Sequence, residues 1–302
     1  MPGIINKKII IAGGTGFVGS YLTRKFKSLG YDVFIISRQN GHINWNNKPE
    51  ITAALENAAM LINLAGKSVD CRYNEKNKRE IYNSRIETTR LLGNAILKCK
   101  NPPALWINSG TATIYRHAED RPMTESSGEI GSGFSVNVAT NWEKIFFDFD
   151  LPATRQVVLR MAIVLGKEGG VIRPLKNLVR SGLGGKQGNG RQMFSWVHIE
   201  DVFRIIEYLS EHKELSGVIN TAAPNPVNNK TLMQLLRKNM NVGIGLPSPA
   251  WLLEIGAVII KTETELILKS RWVVPERLLQ SGFQFKYPVL DDALRHILDK
   301  EN

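Results

Sequence analysis

Three glycines in the run Gly13-Gly14-Thr15-Gly16-Phe17-Val18-Gly19 have the spacing that lets a backbone close on a phosphate group. Gly13 suits a tight turn, Gly16 keeps a side chain away from a pyrophosphate, and Gly19 lets a helix pack close on a strand. Free N–H groups at the start of that helix then face the anion. A second chemical position follows at Ser37-Arg38. Sites for NAD usually carry an acid here to hold the ribose 2′-hydroxyl, yet Val33 to Pro49 contains neither Asp nor Glu. A guanidinium can grip a 2′-phosphate through two parallel charge-assisted bonds, and Ser37 can add another, so the expected cofactor is NADP(H). The plainer reading of Arg38 is a solvated surface charge.

Other reactive groups carry less. The five histidines, His42, His117, His198, His212 and His296, are scattered with no pair at ligand spacing, and Cys71 and Cys99 form no cluster, so no metal is expected. Tyr21 and Lys25 stand one helical turn apart, but on the first helix after the glycines, where a solvated pair is the expectation. His198 and Asp201 suggest acid–base work; we read them as structural, with Asp201 near a helix N-terminus. The stretch Gly182 to Gly190, with Lys186 inside it and Arg191 at its end, suits either a mobile cover over an anionic substrate or a basic linker.

The elements around these residues follow from periodicity. Lys8–Ala12 is a short β-branched run ending in glycine, which reads as a buried parallel strand. Leu22, Phe26 and Leu29 mark one face of a helix that Gly30 stops, and Val33–Ile36 is the next strand. Met60–Leu64 is a further strand; Leu64, Ala65 and Gly66 end it with the small residues expected where a cofactor crosses the sheet. A long helix spans about 75–98, and Leu105–Asn108 runs into Ser109-Gly110-Thr111-Ala112-Thr113-Ile114-Tyr115. Val138, Trp142, Ile145, Phe146 and Phe149 form a core-packing stripe. Val157–Arg160 and Ile163–Leu165 together give a sixth strand. The fold class is therefore α/β, a Rossmann doubly wound parallel sheet with a smaller C-terminal α/β substrate lobe. The expected division is 1–166 plus 195–223 for the nucleotide-binding part, and 167–194 plus 224–302 for the lobe. Pro247 to Trp251 marks a turn into a new helix.

Composition narrows the class. The 302 residues are 43% hydrophobic and 22% charged, which excludes a disordered chain, a collagen-like fibre and a disulfide-stapled miniprotein. The apolar run Trp251–Ile260 is interrupted by Glu254 and too short for a bilayer, and Lys7-Lys8 leads into glycines without a cleavage site. The expectation is a cytoplasmic protein with no membrane partner. The net charge of +11 suits an anionic ligand or a solvated basic surface, and without a block of like charges or a motif, nucleic acid is not an expected partner.

The succession A-G-G-T-G-F-V-G, N-L-A-G, S-G-T-A-T-I-Y and V-L-R-M-A-I-V-L-G resembles the extended short-chain dehydrogenases/reductases of the sugar-nucleotide epimerase type. The segment Phe194-Ser-Trp-Val-His198-Ile-Glu-Asp201-Val and the strand Gly217-Val-Ile-Asn220 agree with it. More narrowly, Ser84-Arg85-Ile-Glu-Thr-Thr, Gly182-Leu-Gly-Gly185 and Val274-Pro275 through Gly282-Phe-Gln-Phe resemble the YfcH-like subfamily of atypical epimerases. The resemblance spans essentially the whole chain. It implies cofactor contacts at Glu80, Arg85, Ser109 and Val164, and a homodimer through helices near 78–98 and 136–149.

Catalysis is where this chain departs from that family, whose members pair a Tyr-x-x-x-Lys with a Ser or Thr on the fifth strand. Thr111 matches the Ser/Thr. Glu143, matching the glutamate eight residues after the family tyrosine, puts Ser135 at the tyrosine and Ala139 at the lysine. Two candidates can replace them: Tyr115 as a proton donor beside Thr111, and Arg85 as a positive charge that lowers its pKa or holds a substrate carboxylate. The plainer reading of Tyr115 is packing with its hydroxyl satisfied. Two functions stay open, an NADP(H)-dependent oxidoreductase or epimerase-like enzyme acting on an unknown small molecule, and a non-catalytic NADP(H)-binding sensor or scaffold.

Overall fold

Lys8–Ala12 forms strand β1, and Ile9 to Ala12 are buried because both faces of the strand are covered. The structure is a computed structural model that describes residues 7–248 and 269–299. Beside β1 lie β2 (Asp32–Ser37) and β3 (Ile43–Asn44) on one side, and β4 (Met60–Asn63), β5 (Leu105–Thr111) and β6 (Arg155–Met161) on the other. With β11 (Gly217–Thr221) at the far edge, the sheet reads β11-β6-β5-β4-β1-β2-β3, and every pairing is parallel. The order reverses between β1 and β4, which opens a crevice beyond their C-terminal ends.

Side chains alternate across this sheet with the period of two that a pleat imposes. Ile9, Ile11, Met60, Ile62, Ile107 and Leu159 face a layer built by α1 (Phe17–Ser28) and α6 (Ile199–Glu211). Ile10, Leu61, Trp106 and Val158 face the other layer, made by α2 (Lys48–Leu55), α3 (Glu75–Ile96) and α4 (Phe134–Phe147). Within the expected stripe on α4, Val138, Trp142 and Phe146 are buried, while Phe149 lies beyond the helix end and packs on Trp106. Gly30 sits just past α1 at φ +78°, the left-handed turn a helix end favours.

The single sixth strand expected over 157–165 is two strands. After Met161 the chain leaves the central sheet: Ala162 N–H bonds Thr221 O and Ile163 N–H bonds Ser195 O. β7 (Ile163–Gly166) then pairs with β8 (Gly169–Gly170), and with β10 (Trp196–His198), which follows β9 (Met193–Phe194). β9 pairs with β12 (Val227–Asn228). Around these short sheets, α5 (Ile172–Arg180), α7 (Asn229–Asn239) and α9 (Leu290–Leu298) enclose a second core containing Leu175, Trp196, Leu232 and Leu294. The segment with α8 (Glu276–Gln280) does not join that core: Leu278 and Phe283 pack into the α1–α6 layer. The Gly182–Gly190 stretch is tied down by four backbone bonds to residues 246–248, a short pairing rather than a free cover. The Trp251–Ile260 run, and the helix expected after Pro247, lie outside the described residues. No helix among the described residues is long and apolar enough to cross a membrane.

Two of the sequence's polar candidates lock elements together. Tyr21 and Lys25 both reach Glu200, the tyrosine through its hydroxyl and the lysine at 2.9 Å, so this pair bridges α1 to α6 instead of standing in solvent. Asp201, fully buried, accepts the Lys286 and Tyr287 N–H groups at 2.7 and 2.9 Å. His198 caps α6 by accepting the Glu200 N–H on Nδ1 at 3.1 Å, which leaves its proton on Nε2 to donate to His296 Nδ1, also 3.1 Å away. Burial, with His296 beside it, pulls the His198 pKa from 6.5 down to about 3. Because the folded value is depressed, the unfolded chain takes the proton first as pH falls below 6.5. The stabilisation is full above that pH and drains toward pH 3. Urea denaturation should show a loss of about 1–2 kcal/mol between pH 6.5 and 5 relative to His198→Gln, and equal slopes for both proteins would overturn the assignment.

Candidate functional site

The turn after β1 lies in the crevice at the switch point. Gly13 adopts φ +80°, and a Cβ there would sit 2.9 Å from Ala65 N, against the turn that ends β4. A Cβ on Gly19 would meet Gly13 O at 2.4 Å, so the helix closes on the loop only because that side chain is absent. Gly16 begins α1 with no side-chain cap and no acid in the first turn, and Thr15 and Gly16 are exposed. The first N–H groups of α1 are thus offered to a pyrophosphate in a cradle that side chains would otherwise fill. Only the side chains of Phe17 and Val18 point elsewhere: the Phe17 ring lies against Gly166, Gly169 and Gly170, and Val18 packs on the α1–α6 core.

At the end of β2, Arg38 is exposed and Ser37 is buried. The Ser37 hydroxyl lies 2.9 Å from His42 Nδ1 and accepts the Gln39 N–H at 3.0 Å. His42 therefore belongs to the same end of the crevice. Sequence reasoning set it aside as one of the scattered histidines; its position just after the turn glycine Gly41, at φ +81°, was the available signal.

Below the crevice, Asn63 and Asn108 stand opposite each other on β4 and β5 and share a 2.7 Å bond, while Asn63 Oδ1 accepts the Ala65 N–H. Thr89 joins them to α4, taking bonds from Asn63 at 3.3 Å and from the Trp142 indole at 2.9 Å. This buried polar ladder fixes the strand ends that carry Leu64, Ala65, Gly66 and Ser109.

Those four residues line a cavity of about 320 Å³ together with Thr111 and Arg85. Its α4 wall carries Ser135 and Ala139, so both positions matched to the family's Tyr and Lys face this space, as a hydroxymethyl and a methyl group. Thr111 Oγ1 accepts the Thr113 N–H at 3.1 Å and keeps its own proton to donate. Arg85, half-buried, donates Nη1 to the Lys67 and Ile81 carbonyls at 3.2 and 3.0 Å and lies 5.1 Å from the Trp142 ring centroid. Burial lowers its pKa to about 10, so it stays charged at neutral pH, and no carboxylate bonds it among the described residues. Glu80 is exposed and ion-paired to Lys67, and only the lysine reaches the cavity wall. Lys67, Tyr73 and Phe134 also line the space, and sequence reasoning named none of them.

Two more expected site residues lie off the cavity wall. Tyr115 is buried behind the cavity floor, where its hydroxyl donates to Asn220 Oδ1 at 2.9 Å and accepts from Arg160 Nη1 at 2.8 Å. Burial raises its pKa against the pull of Arg160, and with both hydrogen-bonding roles filled the phenol is a packing group, not a proton donor to the cavity. Val164 pairs with Val197 on β7 and packs on the α1–α6 core, off the cavity wall.

A doubly wound parallel sheet with a glycine turn at its switch point defines a Rossmann-type dinucleotide-binding protein. The chain belongs to the NAD dependent epimerase/dehydratase family, whose model matches residues 9–222; a domain of unknown function, DUF1731, matches 248–297. It is 33% identical to the human epimerase family protein SDR39U1 over 299 residues, 96% of this chain and 99% of that one. The same identity holds for the epimerase family protein YfhF of Bacillus subtilis, over 96% of this chain and 97% of that one. The crystal structure of human SDR39U1 (isoform 2) with NADPH superposes with a TM-score of 0.87 at 32% identity, covering 96% and 98% of the two chains.

Proposed function

We propose that this chain is an NADP(H)-binding protein of the extended short-chain dehydrogenase type, in the YfcH-like subgroup, acting as an oxidoreductase or epimerase-like enzyme on a small molecule without the usual Tyr-x-x-x-Lys pair. The observation that carries it is the acid-free end of β2, where Arg38 stands exposed beside an uncapped α1 and an open glycine turn. The NADPH in the human SDR39U1 crystal supports the same cofactor here. In this reading Gly13 to Gly19 hold the pyrophosphate, Ser37 and Arg38 the 2′-phosphate, and Leu64, Ala65, Gly66, Ser109 and Arg85 the nicotinamide half. The Ser84-Arg85 motif supports the subgroup: Ser84 Oγ accepts the Lys67 N–H at 2.9 Å, fastening the β4–α3 connection on the cavity rim.

Calorimetric titration with NADPH, NADH and their oxidised forms tests this. Binding of the phosphorylated pair well above the unphosphorylated pair is expected, and equal weak binding of all four would overturn it. A second reading, a non-catalytic NADP(H)-binding protein, is favoured by Ser135 and Ala139 at the catalytic positions.

A further inference from the structure

His42 stands just before β3 at the edge of the sheet, next to Ile43, which pairs with Ile36 of β2. Ile36 and Ile43 both face the α2 layer. The pleat therefore turns Ile35, Ser37 and His42 to the opposite face, the one the glycine turn covers. Val33 packs there on the α1–α6 core, and a Cβ on Gly14 would sit 2.9 Å from Ile35 Cγ1. Ser37 and His42 are thus on the side where a dinucleotide passes the end of β2. We propose that His42 donates its Nε2–H to the cofactor 2′-phosphate, and that Ser37 is the positioning residue that fixes its ring.

The tautomer follows from the hydrogen bonds. Ser37 is buried, and its hydroxyl oxygen already accepts the Gln39 N–H at 3.0 Å. A buried hydroxyl proton needs an acceptor, and His42 Nδ1, 2.9 Å away, is the one it has among the described residues. The serine therefore donates, Nδ1 accepts, and the ring keeps its N–H on Nε2. That nitrogen makes no bond among the described residues, and the ring is half-buried rather than enclosed. Gly41, at φ +81°, gives the chain the turn that brings His42 back beside Ser37.

The inference rests on the proposed NADP(H) binding and divides the work at that phosphate. With its proton given to His42, Ser37 has none left for a phosphate oxygen and acts through the ring. Arg38, the next residue, is exposed and pairs with no carboxylate among the described residues. Guanidinium and imidazole N–H then approach the phosphate as two separate donors, each strengthened by its charge. No acid competes for them nearby in the chain. Val33 to Pro49 contains none, and the carboxylate of Glu50, the first to follow, takes the Asn47 amide at 2.8 Å at the start of α2. A 2′-hydroxyl in place of the phosphate offers these donors no charge, so His42 adds to the preference for NADP(H) more than to binding of either cofactor.

Calorimetric titration with NADPH and NADH, with the two ring nitrogens mimicked separately, tests this. His42→Ala should weaken NADPH binding about 5- to 20-fold and leave NADH within about twofold. A glutamine amide reaches about as far as Nε2 and an asparagine amide about as far as Nδ1. His42→Gln should therefore stay within about threefold of the wild type for NADPH, while His42→Asn should lose as much as His42→Ala. Long-range proton–nitrogen NMR of the five histidines reads the tautomer directly. His42 should be in the Nε2–H form, its Nε2 signal should move with NADPH and not with NADH, and Ser37→Ala should release the ring to a mixture of tautomers. A wild type that prefers NADPH while His42→Ala keeps that preference, a ring protonated on Nδ1, or the reverse order of Gln and Asn overturns this proposal alone. A wild type that binds both cofactors equally, or neither, defeats the NADP(H) reading and this inference with it.

Discussion

Replacing Arg38 with alanine should weaken NADPH binding about 10- to 100-fold while NADH binding stays within about twofold, measured by calorimetry. The asymmetry follows from what the side chain can touch. Arg38 is exposed at the C-terminal end of β2, beyond the backbone bond from Gly13 N–H to Ile36 O that sets the glycine turn against this strand. Its loss should leave the pyrophosphate cradle intact and remove only the group aimed at a 2′-phosphate. Ser37 cannot substitute fully, since its hydroxyl already sits between His42 and the Gln39 N–H. Raised salt should shrink the wild-type preference as well, because an exposed guanidinium–phosphate contact is screened within about 8–10 Å. An equal loss for both cofactors would mean that Arg38 shapes the loop instead of reading the phosphate.

The parts of this site that sequence makes legible are those set by local rules. A β-branched run followed by three spaced glycines leaves one arrangement of strand, turn and helix, and Gly13 at φ +80° against Ala65 is its consequence. The acid-free stretch after Val33 is equally local. What escaped the reading depends on contacts far apart in sequence. Nothing in Val157–Leu165 marks the break at Ala162, which arises because Thr221 on β11 takes the Ala162 N–H while Ser195, between β9 and β10, takes the next one. Tyr115 is near Thr111 along the chain, yet the turn Ala112–Ile114 carries it behind the floor, to a hydroxyl partner on β11. Tyr73 is its converse. It is remote from Ser135 in sequence and becomes a neighbour only because α3 packs along α4 and brings the residues ahead of α3 to the α4 N-terminus. Proximity to a motif was a poor guide to which phenol faces the cavity, and the helix pairing decided it.

Glu143→Ala should cost about 3–5 kcal/mol in urea denaturation, the largest stability effect expected from a single side chain near the site. Glu143 lies on the turn of α4 after Ala139, and its carboxylate takes two bonds from Arg160, at 2.8 and 2.7 Å, with both side chains about nine-tenths buried. Burial works against the Arg160 charge, and the bonds to Glu143 outweigh it, holding the guanidinium above its ordinary pKa. Removing the carboxylate leaves that charge desolvated and without a counter-ion; removing both partners removes the problem. Glu143→Met with Arg160→Met should therefore recover most of the loss, whereas Glu143→Gln, which keeps the shape and an acceptor, should fall between. The same pair connects stability to the cavity, because it pins α4 to β6 while α4 presents Ser135, Ala139 and Trp142 to the cavity. In Glu143→Ala, NADPH affinity should fall at denaturant concentrations well below the unfolding midpoint, as the wall loosens before the sheet gives way. A loss under about 1 kcal/mol would show that water reaches Arg160 and that the wall is held by the Trp142–Thr89–Asn63 ladder instead.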